Sequence, residues 1–307
     1  MHFRALAEQA MADGEISAEE ILALRSEGWS NGAIDADEAD AIFVLNDHLA
    51  GASAEWSDFF VEALSDYIVH SVAPRGYVDE GQAEWLIERT DSNGRLDSLT
   101  ELELLVKVLE KAVAVPERLK AYALGQIERA VLTGEGPTRD GGALEKGNVT
   151  AGEARLLRRM IFASGGNRPA AVSQREAEML FRLKDAALGA DNAAEWKLLF
   201  VQGVGNYLQG FGGSEPLSRE RAAELESFMG DSAASLGGFF ARMARSNVRS
   251  GFAGVFGRKP EQADHDADVA AEHAVTSDEQ AWLQGQIDAN HQVDEFDQAL
   301  LEFLAEQ

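Results

Sequence analysis

The sequence predicts an all-α protein built from two tandem copies of a helix-loop-helix array, the second carrying an inserted basic amphipathic segment. Three observations carry this. Apolar residues recur at helical spacing along most of the chain. A helix-start signature returns at least six times. Blocks of the first half reappear, in the same order, in the second.

The first helix start is Ile16-Ser17 with Glu20 three residues on. An apolar residue, a Ser/Thr/Asp cap and a Glu or Gln three residues later form a capping box, which satisfies the free N–H groups of a first helical turn. The pattern returns at Ile34-Asp35…Glu38 and Val78-Asp79…Gln82. It recurs at Val149-Thr150…Glu153, Val172-Ser173…Glu176 and Val275-Thr276…Glu279. Between the second and third starts, Trp56, Phe59, Phe60, Ala63, Leu64 and Tyr67 form one helical stripe. Leu102, Leu105, Val106 and Leu109 form another. The stripe geometry places Trp56, and its counterpart Trp196, in the core rather than on a ligand.

The self-similarity is specific. Residues 34–68 align with 172–208, so Glu38, Phe43, Leu45 and Asp47 meet Glu176, Phe181, Leu183 and Asp185. After a two-residue length difference, Trp56, Phe60, Val61 and Tyr67 meet Trp196, Phe200, Val201 and Tyr207. Residues 78–97 align with 275–294, pairing Trp85 with Trp282 and Asp91 with Asp288. Copy two has Gly203 and Gly205 where copy one has Ala63 and Ser65. Glycine inside a helix costs about 1 kcal/mol relative to alanine, which points to close approach of another helix. The predicted division is 1–112 for the first copy, 113–146 for a connecting helix and glycine-rich linker, and 147–307 for the second copy. An insertion interrupts the second copy at about 228–274. The linker stretch TGEGPTRDGGALEKGN opens with Gly134-Glu-Gly136. It lacks the third glycine and the Gly-Lys-Ser/Thr of a nucleotide loop, and no strand precedes it, so it reads as a linker.

Charge narrows the functional classes. The chain carries −26, and such a surface repels phosphate backbones, which argues against direct nucleic-acid binding. A basic protein partner or a cation remains. There is no cysteine, so disulfides, thiolate metal sites and cysteine nucleophiles are excluded. No apolar run reaches the roughly 18 residues of a membrane span, and residues 1–15 lack a signal-peptide core. The expectation is a soluble, cytoplasmic protein. His-Glu-x-x-His, Gly-x-Ser-x-Gly and Walker motifs are all missing, so the expectation is a protein without catalytic activity.

Two loops carry candidate calcium ligands. With Gly94 at the sixth position of an EF-hand loop, Asp91, Asn93 and Asp97 fall at positions 3, 5 and 9. In the second copy Asp288, Asn290 and Asp294 correspond, with His291 replacing the glycine. Position 1 is Arg89 and position 12 is Thr100, so a cation takes the first ligand place and the bidentate carboxylate is missing. Helix initiation is the leading reading, and calcium is the only cofactor the loops suggest.

The insertion holds the basic segment 236–259, without an acid between Leu236 and Lys259. With +5 there, the total of −26 leaves −31 on the remainder. Phe239, Met243, Val248 and Phe252 are spaced like anchors on one helical side, with Arg242, Arg245 and Arg249 between them. Basic amphipathic helices read as ligands for acidic grooves or membrane surfaces. Three readings follow: a helix packed on the chain's own acidic body or a mobile loop, since five glycines weaken an autonomous helix; a partner-binding segment that acts as a detachable latch; and a membrane-surface element, which the −31 elsewhere opposes.

MADGEISAEEI (11–21) and KGNVTAGEARLL (146–157) resemble the helix-start motif of tellurite-resistance TerB-like helical domains. The same loops are similar to degenerate EF-hands. These resemblances imply an all-helical fold and an association of the acidic helix starts with metal ions. The leading expectation is a non-catalytic interaction or regulatory module with an acidic surface. The alternatives are a divalent-cation binder and an acidic decoy that mimics DNA.

Overall fold

The computed structural model describes residues 2–12, 14–91, 94–96, 98–139, 146–163, 165, 171–209 and 277–305. These residues form α-helices and no strand, as the periodicity predicts. The first six helices are α1 (His2–Met11), α2 (Ala18–Gly28), α3 (Ala36–His48), α4 (Ala54–His70), α5 (Glu80–Thr90) and α6 (Leu99–Lys111). The rest are α7 (Glu117–Thr133), α8 (Ala151–Ile161), α9 (Gln174–Ala187), α10 (Ala194–Leu208), α11 (Ser277–Asp288) and α12 (Glu295–Ala305). All belong to one compact unit, residues 1–216 together with 276–307. Among the described residues no helix is long and apolar enough to cross a membrane.

Local chemistry sets the helix starts. Complete capping boxes form at Ser17/Glu20, Asp35/Glu38, Asp79/Gln82, Ser98/Glu101, Thr150/Glu153 and Ser173/Glu176. Losing such a cap costs about 1 kcal/mol. The apolar residue ahead of the box is buried at Ile34, Val78, Val149 and Val172, closing each start against the core. α7 ends at Gly134, which adopts φ 78°, a left-handed conformation that glycine accepts without steric cost.

The two halves pack alike. α1 lies on α2 and α3, these two lie on α4, and α4 lies on α6. α7 lies on α8 and α9, these two lie on α10, and α10 lies on α12. The helix within 113–146 thus packs with the second half as α1 packs with the first. It also covers α5 and α6, and α8 adds to the cover on α6.

The aromatic core repeats at matching positions. Phe43 meets Phe60 edge-on at 5.3 Å and Trp85 at 5.5 Å, and Tyr67 meets Trp85 at 5.6 Å. Phe181 meets Phe200 at 5.1 Å and Trp282 at 5.8 Å, and Tyr207 meets Trp282 at 4.8 Å. Trp56 and Trp196 are fully buried. The two glycines of α10 allow close packing. A Cβ on Gly203 would stand 2.5 Å from Leu180 Cδ1, and one on Gly205 would stand 2.5 Å from Phe303 Cε1. The insertion at 228–274 lies outside the described residues.

Candidate functional site

The loops that follow α5 and α11 hold the sequence-predicted ligands. In the first, Asp91 caps the end of α5. Its Oδ2 accepts from the Gly94 N–H at 2.9 Å, and its Oδ1 accepts from the Tyr122 hydroxyl of α7 at 2.9 Å. Burial, together with this hydrogen bond and the Asp91 charge, pushes the Tyr122 phenol well above its ordinary pKa. The Leu96 N–H donates to Gln126 Oε1, also on α7, at 3.1 Å. Arg89 turns away and reaches Asp40 Oδ1 at 2.6 Å. The loop's polar groups thus anchor α7. Asn93 and Asp97 lie outside the described residues.

The second loop is built around a buried cation. Lys184 Nζ on α9 lies 2.7 Å from Asp294 Oδ2, 2.9 Å from Asp297 Oδ1 and 3.2 Å from Asp185 Oδ1. Lys184 and Asp297 are fully buried. Asp294 Oδ1 also caps α12, accepting from the N–H groups of Phe296 and Asp297. Asp297 Oδ2 in turn accepts from the Asp294 N–H at 3.1 Å, which completes a capping box made of two aspartates. Asn290 donates through Nδ2 to Asp185 at 2.7 Å and to Asp294 at 3.3 Å. Asp288 accepts from Gln284 at 2.9 Å.

Electrostatics follow the geometry. Burial lowers the Lys184 pKa, but the hydrogen bonds its ammonium donates to Asp294, Asp297 and Asp185 outweigh it and raise the value overall. Burial raises Asp297, and Lys184 offsets this only in part. For Asp294 the balance reverses. Lys184 and the helix N–H groups overcome burial and hold its carboxyl below the usual range. The ammonium therefore stands where the carboxylate oxygens converge, and the cluster fastens α12 to α9. Among the described residues no three His, Asp or Glu side chains are grouped to hold a metal ion.

Sequence reading missed Lys184, Asp297 and Tyr122. One signal was present: Lys184 aligns with Asn46, so a lysine stands at a polar position between core residues Phe181 and Leu183 and the aligned Asp185.

A third feature is a face. Val293, one residue before the cap of α12, is 56% exposed, whereas Leu96, its aligned residue and two before the cap of α6, is 2% exposed. Seven residues past each cap, Leu301 is 43% exposed and Leu105 is fully buried. Asp288 at the end of α11 and Glu295 and Glu302 on α12 are exposed, with Glu295 paired to Lys197 of α10 at 2.9 Å. Among the described residues α6 lies beneath α4, α7 and α8, while α12 packs chiefly on α10. The predicted partner-binding residues Phe239, Arg242, Met243, Arg245, Val248, Arg249 and Phe252 lie outside the described residues. No protein-family model, curated protein or solved structure matches this chain.

Proposed function

We propose that this chain is a non-catalytic protein-interaction module whose acidic α11–α12 face takes a basic amphipathic helix from a partner. The observation that carries the reading is the exposed pair Val293 and Leu301, flanked by Asp288, Glu295 and Glu302, at positions matching buried Leu96 and Leu105. The first half supplies the template for such an occupant. There α7 and α8 bring arginines to acids of α5 and α6: Arg118 to Glu84 at 3.4 Å, and Arg159 to Glu103 at 2.8 Å and Glu110 at 2.7 Å. The matched aromatic contacts support a tandem duplication of one helical unit, in which this face is the counterpart of a covered one. Apolar anchors in a shallow groove with a charged rim are the usual way a helix is recognised.

A synthetic peptide of residues 236–259 has the required chemistry and serves as probe. It should bind the full chain, and the affinity should fall as salt rises because the rim is ionic. Val293→Asp and Leu301→Asp should each weaken binding about fivefold or more, on the order of 1 kcal/mol, without lowering the melting temperature. A peptide with its arginines replaced by glutamine should bind poorly. Undiminished binding to the double variant would remove this face from consideration.

A further inference from the structure

Acids outnumber Lys and Arg in this chain by 53 to 27, so a cation that finds no carboxylate stands out. Most described arginines do find one, including Arg25 with Glu62, Arg89 with Asp40 and Arg182 with Glu128. Arg95 and Arg129 do not: neither side chain forms an ion pair or hydrogen bond among the described residues. Both line the same pocket of about 370 Å³. Arg95 comes from the loop before α6, and Arg129 comes from the last third of α7. The Arg129 guanidinium lies against the first loop, with Nη2 3.6 Å from where a Cβ on Gly94 would stand.

The turn Gly134-Glu135-Gly136, which the sequence reading assigned to a linker, lines the same pocket. This turn is fixed in place. The Glu135 N–H donates to Thr133 Oγ1 at 3.2 Å, and the Arg139 N–H donates to Gly136 O at 2.9 Å. Arg139 is itself buried and held from both sides. It donates to Glu153 Oε1 and Oε2 at 2.8 Å and to Asn148 Oδ1 at 2.8 Å. Gly136 sits close over Ala130, where a side chain would come within 3.1 Å of its Cβ.

We propose that this pocket binds a small phosphate-bearing anion between Arg95 and Arg129. A guanidinium presents a planar fork of N–H donors that matches phosphate oxygens, and charge-assisted bonds of this kind are the strong ones. Two such forks on one polar pocket, neither paired with a carboxylate among the described residues, form a receptor for a tetrahedral anion. Arg139 contributes structure, since its donors are already satisfied by Glu153 and Asn148. Glu135 is the acid on the rim and works against the ligand. The chain's remaining negative charge acts weakly at this distance, because exposed charges are screened beyond about 8 Å at physiological salt. The arrangement differs from a nucleotide loop: the anion meets arginine side chains at a helix C-terminus rather than backbone N–H groups at an N-terminus.

Titration calorimetry of the full chain with inorganic phosphate, pyrophosphate and a nucleoside monophosphate tests this. Inorganic phosphate should bind saturably at one site. A tighter nucleoside monophosphate would identify the natural ligand as an organic phosphate ester, and equal affinities would identify free phosphate. Arg95→Gln and Arg129→Gln should each weaken binding about tenfold, the loss of one charge-assisted hydrogen bond. Glu135→Gln should tighten it severalfold. Arg75, another exposed arginine without an ion pair among the described residues, is the control. Arg75→Gln should change nothing. The proposal fails if the wild-type chain takes up none of the three saturably. It also fails if Arg75→Gln weakens binding as much as the pocket variants do.

Discussion

One core position separates the two halves. In the first half it is Asn46, whose Oδ1 accepts from the Trp56 indole N–H at 3.0 Å. In the second it is Lys184, which has no lone pair to offer. Trp196 Nε1 is accordingly buried without a hydrogen-bond partner among the described residues, while Lys184 turns to Asp294 and Asp297. An unpaired buried donor costs about 1–3 kcal/mol. The second half carries that cost and gains a charged tie between α9 and the start of α12. The first half needs no such tie, because α7 and α8 already hold α6 in place. Where packing covers a helix on several sides, a neutral polar core suffices. Where a helix rests chiefly on one neighbour among the described residues, an ionic anchor takes the place of further cover.

Breaking the anchor should have the largest effect. Lys184→Met leaves Asp294 and Asp297 buried without their cation, a loss of about 3–5 kcal/mol. Asn46→Ala leaves only the Trp56 N–H unpaired, about 1–3 kcal/mol. Urea unfolding of the full chain measures both, and equal losses would mean that the two positions do the same job. The anchor also has a pH signature. The folded Lys184 pKa lies above its unfolded value, so its stabilisation is complete below about 10.4 and is lost as pH rises through the folded value. Asp294 is depressed, so its share is complete above about 3.9 and is lost as pH falls through its folded value. Asp297 is raised, so its share has the opposite sign to that of Asp294: it is present at low pH and is lost as pH rises through its folded value. The stability difference between wild type and Lys184→Met should therefore be widest between these limits and should narrow on the alkaline side.

Close approach of α12 gives a middle-sized test. Gly205 and Ser65 occupy matching places on α10 and α4. Gly205→Ala drives a methyl group to 2.5 Å from Phe303 Cε1 and should cost about 1–3 kcal/mol as α12 is displaced. Ser65→Ala removes a hydroxyl that donates to the Glu62 carbonyl of its own helix at 3.1 Å, and should cost less than about 1 kcal/mol. A tolerated Gly205→Ala would show that α12 shifts freely, and the idea of an anchored helix would have to be revised.

What the sequence revealed and what it hid divide by range. Capping boxes were legible because cap and acceptor lie three residues apart, so Ser17/Glu20 and Thr150/Glu153 follow from local spacing alone. The Trp56 and Trp196 stripes were legible from helical period. Lys184 was not, because its partners Asp294 and Asp297 follow 110 and 113 residues later, and acids are too common here for any one to be singled out. The second role of α7 was hidden for a related reason. Its apolar stripe announces a helix, yet the polar residues Tyr122 and Gln126 that reach Asp91 and Leu96 carry no sequence mark. The Arg95–Arg129 pocket was hidden because its two cations lie 34 positions apart, on a loop and a helix that meet only in the fold.

The smallest contrast concerns backbone. The loops after α5 and α11 turn through a left-handed residue at the same aligned place, Gly94 with φ 83° and His291 with φ 62°. A residue with a Cβ is strained there by about 1–2 kcal/mol, while glycine is not. Gly94→Ala should therefore cost about 1 kcal/mol. His291→Gly should do the reverse, relieving the strain while freeing the unfolded chain, for a net gain below about 1 kcal/mol. His291 is exposed, so no packing is lost with its side chain. Thermal unfolding should show a rise of about 1–2 °C, modest because the transition entropy grows with chain length. A fall instead would mean that the His291 ring makes a contact worth more than the strain it imposes.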